Sequence, residues 1–517
     1  MGLSMPPIQL KHKVSLRYGA TLLTNAMRVC IAAITGVIAA RLMGPAEYGN
    51  VNFLLVSLSA ALSIPEFGTT NAFYTFISSK KRGPVFYGVF LSFTFTRYFL
   101  VSLAVCVMPA WLLSKIWRGM PLGLLLVGGC ASFAMYHLWT IIQQIGEAAR
   151  ETLFVQKLRL FVVVCNCMLV AGFGFLGYLN IYTFLLIIAV VHFSASILFA
   201  CVFNWREHLD YKLEEKTSSV TKEFAVYCAP LAIVTLVTLF CSFLNRWILQ
   251  NFSGSAQQGY FSIGDQLCTA ILIFANSLSS IFWKEIASAY SIGDNDRTRV
   301  LFFKARSTLY FATATLACFV AAYSDEIVVN ILGPRYTTMP LTLAPMVVVP
   351  IFGCWCQLNS SYMYATRRTK TEMLFTSLFA ISNTAVAYFA IATPSARFPG
   401  LGLGAMGLAL ATILCCILVA NVETLYIYRI NRWKSDLSFQ IRYPLVLFGL
   451  AYITKLATSF MPHSHIGFAM HLAIGGILYL LCAAGYAYLK QLELGVDMDK
   501  MRTFVSDIKK LTADNKN

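Results

Sequence analysis

The sequence predicts an all-α polytopic membrane protein of about fourteen transmembrane helices. They form two six-helix lobes, related by a parallel repeat, plus two extra C-terminal helices. Three observations carry this prediction. Hydrophobic residues make up 58% of the 517 positions and charged residues only 12%, with a mean hydropathy of +0.67. A soluble domain carries roughly 25% charged residues, so this chain cannot cover a soluble surface. Apolar segments of the length needed to cross a bilayer, about 20 residues, recur fourteen times. The basic residues alternate between the connections on the two sides. Together these exclude a soluble enzyme, a disordered chain and a nucleic-acid-binding domain.

In chain order the predicted spans are 18–40, 51–76, 85–113, 122–143, 160–179, 182–203 and 224–249, then 261–283, 307–322, 341–365, 373–392, 404–428, 443–460 and 466–489. The first follows a basic stretch (Lys11, Lys13, Arg17) and is too long for a signal-peptide core. Fourteen crossings put both termini on one side, and the basic residues say which. With the N-terminus inside, 31 of the 40 Lys and Arg fall in inner segments and 5 in outer ones, namely Arg41, Lys115, Arg118, Arg335 and Arg397. The net charge of +17 is thus a topological signature and needs no nucleic acid. Both termini are therefore expected to be cytoplasmic.

All 15 cysteines fall within the apolar spans. They include the pairs Cys165/Cys167, Cys354/Cys356 and Cys415/Cys416, and they read as small core residues rather than as metal or redox sites. The chain has no GxxxxGK[ST], GxSxG or HExxH pattern. Neither enzymatic activity, a cofactor nor a metal is expected.

An internal repeat organises the spans. Gly44-Pro-Ala-Glu-Tyr-Gly49 follows span 1, and Gly254-Ser-Ala-Gln-Gln-Gly259 follows span 7, at an offset of 210 residues and six helices. An even number of crossings gives the two halves one orientation, and transport sites lie between such repeats. The expected domains are an N-terminal lobe (1–210), a C-terminal lobe (211–435), two additional helices (436–490) and a cytoplasmic tail (491–517). The polar segment 204–223 is the linker between lobes.

Charges inside spans are costly and face cavities or partners. Arg28 lies ten residues into span 1, about 15 Å deep at 1.5 Å per residue. Glu66 and Arg97 lie mid-way along spans 2 and 3. Arg28 either lines a polar cavity or forms a structural ion pair with Glu66. Arg246 and Lys455 lie near outer ends, where they can snorkel, and Asp265 is placed to pair with Arg246. Glu423, near the inner end of span 12, reads as a solvated or paired carboxylate. Pro65-Glu-Phe-Gly68 should break span 2; Pro230, Pro345 and Pro350 mark further bends.

Three stretches resemble a known family. The run Arg17-Tyr-Gly-Ala, followed by Ala40-Arg-Leu-Met-Gly-Pro-Ala-Glu-Tyr-Gly-Asn-Val51, is similar to the N-terminus of Wzx-type polysaccharide flippases. Phe243-Leu-Asn-Arg246 and Gly259-Tyr-Phe-Ser262 resemble the start of that family's second lobe, with Asn245 where the family often has Asp. Ile331-Leu-Gly-Pro-Arg-Tyr336 matches a further family pattern. The resemblance covers nearly the whole chain and implies the multidrug/oligosaccharidyl-lipid/polysaccharide exporter superfamily. It implies transfer of an undecaprenyl-pyrophosphate-linked glycan across the lipid bilayer, with a polysaccharide polymerase and chain-length proteins as partners. On that reading Arg28, Arg97 and Arg246 bind the pyrophosphate, while Glu66 and Asp265 orient an arginine or couple to an ion.

The rivals are a lipid II flippase, a multidrug cation antiporter and a membrane-embedded glycan polymerase. The first would carry a denser set of arginines in its opening helices. The second would have twelve helices and an acidic cavity. The third would have a large outer loop, and the longest here is 323–340.

Overall fold

A computed structural model describes residues 7–211, 213, 215–433, 438–459 and 465–490. Lys212, Lys434 and the tail 491–517 lie outside the described residues, as do the side chains of Lys11, Lys13, Arg17 and Pro230. Every described regular element is helical: α1 (Pro7–Met43), α2 (Pro45–Ser63), α3 (Thr69–Ser79), α4 (Pro84–Val107), α5 (Ala110–Trp117), α6 (Leu122–Ser132), α7 (Trp139–Ala148), α8 (Thr152–Phe175) and α9 (Ile181–Val202). There follow α10 (Trp205–His208), α11 (Thr217–Ser291), α12 (Asn295–Ala322), α13 (Ser324–Ile327), α14 (Pro340–Ala365), α15 (Thr369–Ile391), α16 (Gly404–Asn431), α17 (Phe439–Thr458) and α18 (His465–Leu489). Among the described residues, 11 stretches are long and apolar enough to cross a membrane. One of them, Ala232–Leu272, overlaps two of the expected spans, 224–249 and 261–283; the expected spans outside these stretches are helical as α1 and α17. All fourteen expected helices are therefore present. Many large apolar side chains, such as Phe99, Phe175, Ile197 and Ile233, point outward, as lipid contact requires.

The breaks follow local chemistry. Gly44 (φ 82°, ψ 169°) separates α1 from α2, and Gly254 (φ 81°, ψ 178°) bends α11 into the helices 217–253 and 255–291. This backbone region is open essentially to glycine alone. The two repeated glycines thus share one conformation as well as one sequence motif. Span 3 departs from expectation. Pro109, which lacks an N–H, follows an extended Met108 and splits the segment into α4 and α5. Pro345 and Pro350, by contrast, lie within the unbroken α14.

The chain forms two compact units: Met1–Gln266 with Thr376–Ala411, and Leu267–Phe375 with Thr412–Asn517. In the first, α1 packs along α8, and α2 packs on α6 and α9. The repeated turns meet within this unit. A Cβ on Gly49 would strike the carbonyl oxygen of Ser255, and one on Gly259 would strike that of Pro45. Residue 255 is 45 displaced by the repeat offset, and 259 is 49 displaced likewise, so the contact is reciprocal, as across a two-fold axis. In the second unit, α12 packs on α14 and α17, and α17 packs on α18. The buried Ala305, Ala314, Ala317 and Ala321 of α12 allow this close approach, the usual route to helix association in lipid.

Candidate functional site: charges inside the helices of the first unit

Span 2 breaks where Pro65 predicts. α2 stops at Ser63, a 3-10 turn covers Ile64–Glu66, and Phe67 (φ 51°) and Gly68 (φ 82°) are left-handed before α3 resumes. The break presents Glu66 to its neighbours. Its Oε2 lies 3.4 Å from Arg97 Nη1 on α4 and 3.9 Å from His137 Nδ1. Arg97 Nη2 is in turn 3.2 Å from His137 Nδ1. His137 sits on a π-helical segment, Phe133–Leu138, between α6 and α7. Such segments insert a residue into the helical register and re-aim side chains.

The sequence places Glu66 and Arg97 mid-way along spans 2 and 3 and gives no sign that His137 joins them. The π segment brings the histidine in, and nothing in the apolar run around it signals that distortion. The same segment carries Tyr136, which feels the charges of Arg246 and Asp265. One short distortion thus bears on both charge clusters.

Arg97 and His137 are 5% and 6% exposed. Arg97 Nε and His137 Nε2 are buried without a hydrogen-bond partner among the described residues. A buried donor without a partner costs roughly 1–3 kcal/mol, so the cluster is not optimised for stability alone.

Arg28 is half-buried on α1, and its Nε is likewise buried without a partner among the described residues. It feels the like charge of Arg159 on α8, which is itself paired to Glu147 at 2.7 Å. Glu66 bonds Arg97 rather than Arg28, so the Arg28–Glu66 pair considered from sequence does not form. Arg246 and Asp265 do pair as expected, at 2.9 Å across the Gly254 bend. The Arg246 guanidinium lies 4.3 Å over Phe261, and its Nη1 is buried without a hydrogen-bond partner among the described residues. The neighbouring Asn245 Oδ1 is buried in the same condition.

Two further charges lie outside the expected site. Glu423, expected to be solvated or paired, is 3% exposed in the second unit. It is hydrogen-bonded to Asn359 and faces the like charge of Glu372. Lys455 reaches Asp325 at 2.6 Å and the Ala322 carbonyl at 2.9 Å, so its charge is held at the end of α12.

No protein-family model matches the chain, and no curated protein matches its sequence. Solved structures do. The likeness is one of fold. The chain is similar to a lipid II flippase MurJ in an inward closed conformation, with a TM-score of 0.67, 14% identity, and coverage of 90% of this chain and 98% of that one. It is also similar to an inward-facing multidrug resistance MATE family transporter (TM-score 0.56, 11% identity, 80% and 96% covered). A third likeness is a MOP superfamily transporter from Pyrococcus furiosus (TM-score 0.54, 11% identity, 81% and 95% covered).

Proposed function

We propose that this protein is a flippase for an undecaprenyl-pyrophosphate-linked oligosaccharide repeat unit. It moves the unit from the inner to the outer leaflet of a bacterial cytoplasmic membrane for polysaccharide assembly. The observation that carries the reading is the set of membrane-embedded arginines Arg28, Arg97 and Arg246. Each keeps a buried guanidinium nitrogen without a hydrogen-bond partner among the described residues. Three cations stand against the two carboxylates Glu66 and Asp265, and Arg suits multidentate contact with phosphate oxygens. Arg28 binds the pyrophosphate, Arg97 and Arg246 support it, and Glu66 and Asp265 orient those two guanidiniums or couple to an ion.

Transport proceeds by alternating access of the lobes 1–210 and 211–435. Helices 436–490 guide the lipid tail, and a polymerase and chain-length proteins receive the product. A cationic set of this kind argues against a multidrug cation antiporter, which would need an acidic cavity.

A second reading, a lipid II flippase, is favoured by the 0.67 TM-score to MurJ. One experiment separates the two. The gene is expressed in a strain lacking its polysaccharide flippase, and separately in one depleted of its lipid II flippase. The proposal expects recovery of surface glycan in the first and no recovery of growth in the second. The reverse pattern would replace the first reading by the second.

A further inference from the structure

Arg82 lies in the short connection between α3 and α4, on the side the charge pattern assigns to the cytoplasm. Basic residues there are ordinary; a buried one is not, and Arg82 is 3% exposed. Its Nη1 donates to Glu215 Oε1 at 3.0 Å and to Glu223 Oε2 at 2.9 Å, and its Nη2 donates to Glu223 Oε1. Glu215 Oε2 also accepts from Gly83 N at 3.1 Å. The guanidinium lies 4.5 Å from the Phe86 ring centroid and 5.3 Å from that of Phe76. Burial by itself would lower the Arg82 pKa, but the bonds to Glu223 and Glu215 hold it above its ordinary value. Its Nε remains buried without a hydrogen-bond partner among the described residues.

Arg82 lines a pocket of about 890 Å³ together with Lys80, Lys216 and Lys222. Among the described residues four cations face two carboxylates there, Glu215 and Glu223, leaving a surplus of positive charge for a lipid diphosphate. Lys216 and Ser219 bring the start of α11 to the same wall, where helix N–H groups favour anions. Phe76, Val226 and Tyr227 supply an apolar side. A charged rim over an apolar wall at an interfacial depth fits an amphiphile rather than a free ion.

We propose that this pocket is a loading site for the diphosphate head of an isoprenoid lipid in the inner leaflet, bound by Lys80, Lys216 and Lys222 with Arg82 at its base. The inference rests on the flippase reading and gives it an entry point distinct from the embedded arginines. Glu223 competes with the incoming diphosphate for Arg82, so the latch between Arg82 and α11 loosens as the ligand enters.

The test titrates the full chain, purified in detergent, with farnesyl diphosphate by calorimetry. Lys216→Ala combined with Lys222→Ala should weaken binding roughly tenfold, the size of a lost charge-assisted contact, and Glu223→Gln should strengthen it. Inorganic pyrophosphate should compete poorly for want of a tail, and phosphatidylglycerol for want of the second phosphate. Unchanged affinity in the double-lysine variant, or equal displacement by either competitor, would overturn the proposal. So would full surface-glycan rescue by a double-lysine variant that no longer binds. Diphosphate binding intact in a wild-type chain that rescues no surface glycan would instead overturn the flippase reading and leave the pocket in place.

Discussion

At the scale of single residues, the decisive feature is which carboxylate each arginine meets. Glu66 is committed to Arg97 and His137, which leaves Arg28 outside the ion pair. A charge at that depth costs several kcal/mol unless water or an anion meets it. Arg28→Ala is therefore expected to abolish glycan export while the protein still inserts and accumulates. Arg28→Lys should keep part of the activity, because it retains the charge and loses the planar fork. Surface glycan and membrane protein level, measured together, check both. Glu66→Arg alone should deplete the protein, and Glu66→Arg with Arg97→Glu should restore its accumulation. If the double variant accumulates no better than the single one, the pairing at 3.4 Å does not hold the helices together. The sequence put Glu66, Arg97 and Arg28 at one depth, because depth is a count of residues along a helix. It could not choose between the two arginines, because partner choice depends on helix rotation.

At the scale of elements, the two repeated turns make a sharper case. Gly44 and Gly254 share an extended, positive-φ backbone, while Gly49 and Gly259 are where two helices touch. These are different constraints and should fail differently. Gly254→Ala strains the backbone, at a cost of about 1–3 kcal/mol, without touching the helix contact. Gly49→Val and Gly259→Val overpack the contact, each by about 1–3 kcal/mol. Because the contact is reciprocal, the two valine variants should lower the melting temperature of purified protein by similar amounts. A large asymmetry between them would mean that the apparent two-fold relation carries no energetic weight. The repeat was legible from two glycines and an alanine recurring at one offset. That the two copies touch each other was not, since a motif records local backbone need and not its neighbour. The break at Pro65 was legible for the same local reason, and the π segment at Phe133–Leu138 was not, because no proline or glycine within it marks the change of hydrogen-bond register.

At the scale of the whole molecule, α17 and α18 were expected to be an addition outside the repeat. They do more than flank it within the second unit. Tyr310 OH donates to the Gln440 carbonyl at 2.9 Å, and Tyr479 OH to that of Thr315 at 2.9 Å. Lys455 and His471 both reach Glu326, at 3.8 and 2.8 Å. Deleting 436–490 is thus expected to lower the amount of folded protein as well as transport, because it strips α12 of buried partners. Fluorescence-detected size exclusion should show aggregation or loss; a monodisperse peak of unchanged height would mean those contacts are dispensable. Topology offers an independent check. A reporter active only outside should be active when fused at Arg335 or Arg397 and silent at Lys212 or Arg368. Activity at Lys212 would break the alternation of basic segments on which the fourteen-helix reading depends.

The sequence by itself determined the solvent this protein lives in, the number and order of its helices, and the repeat. Those properties are sums or periodicities along the chain: hydrophobicity per segment, charge per connection, residues per turn. The tertiary structure alone decided which charges meet Glu66. A helix that is apolar nearly all round gives no moment to fix its rotation, so its inward face is set by small-residue contacts and by breaks such as those at Glu66 and His137. Arg97 therefore holds Glu66, and Arg28 does not.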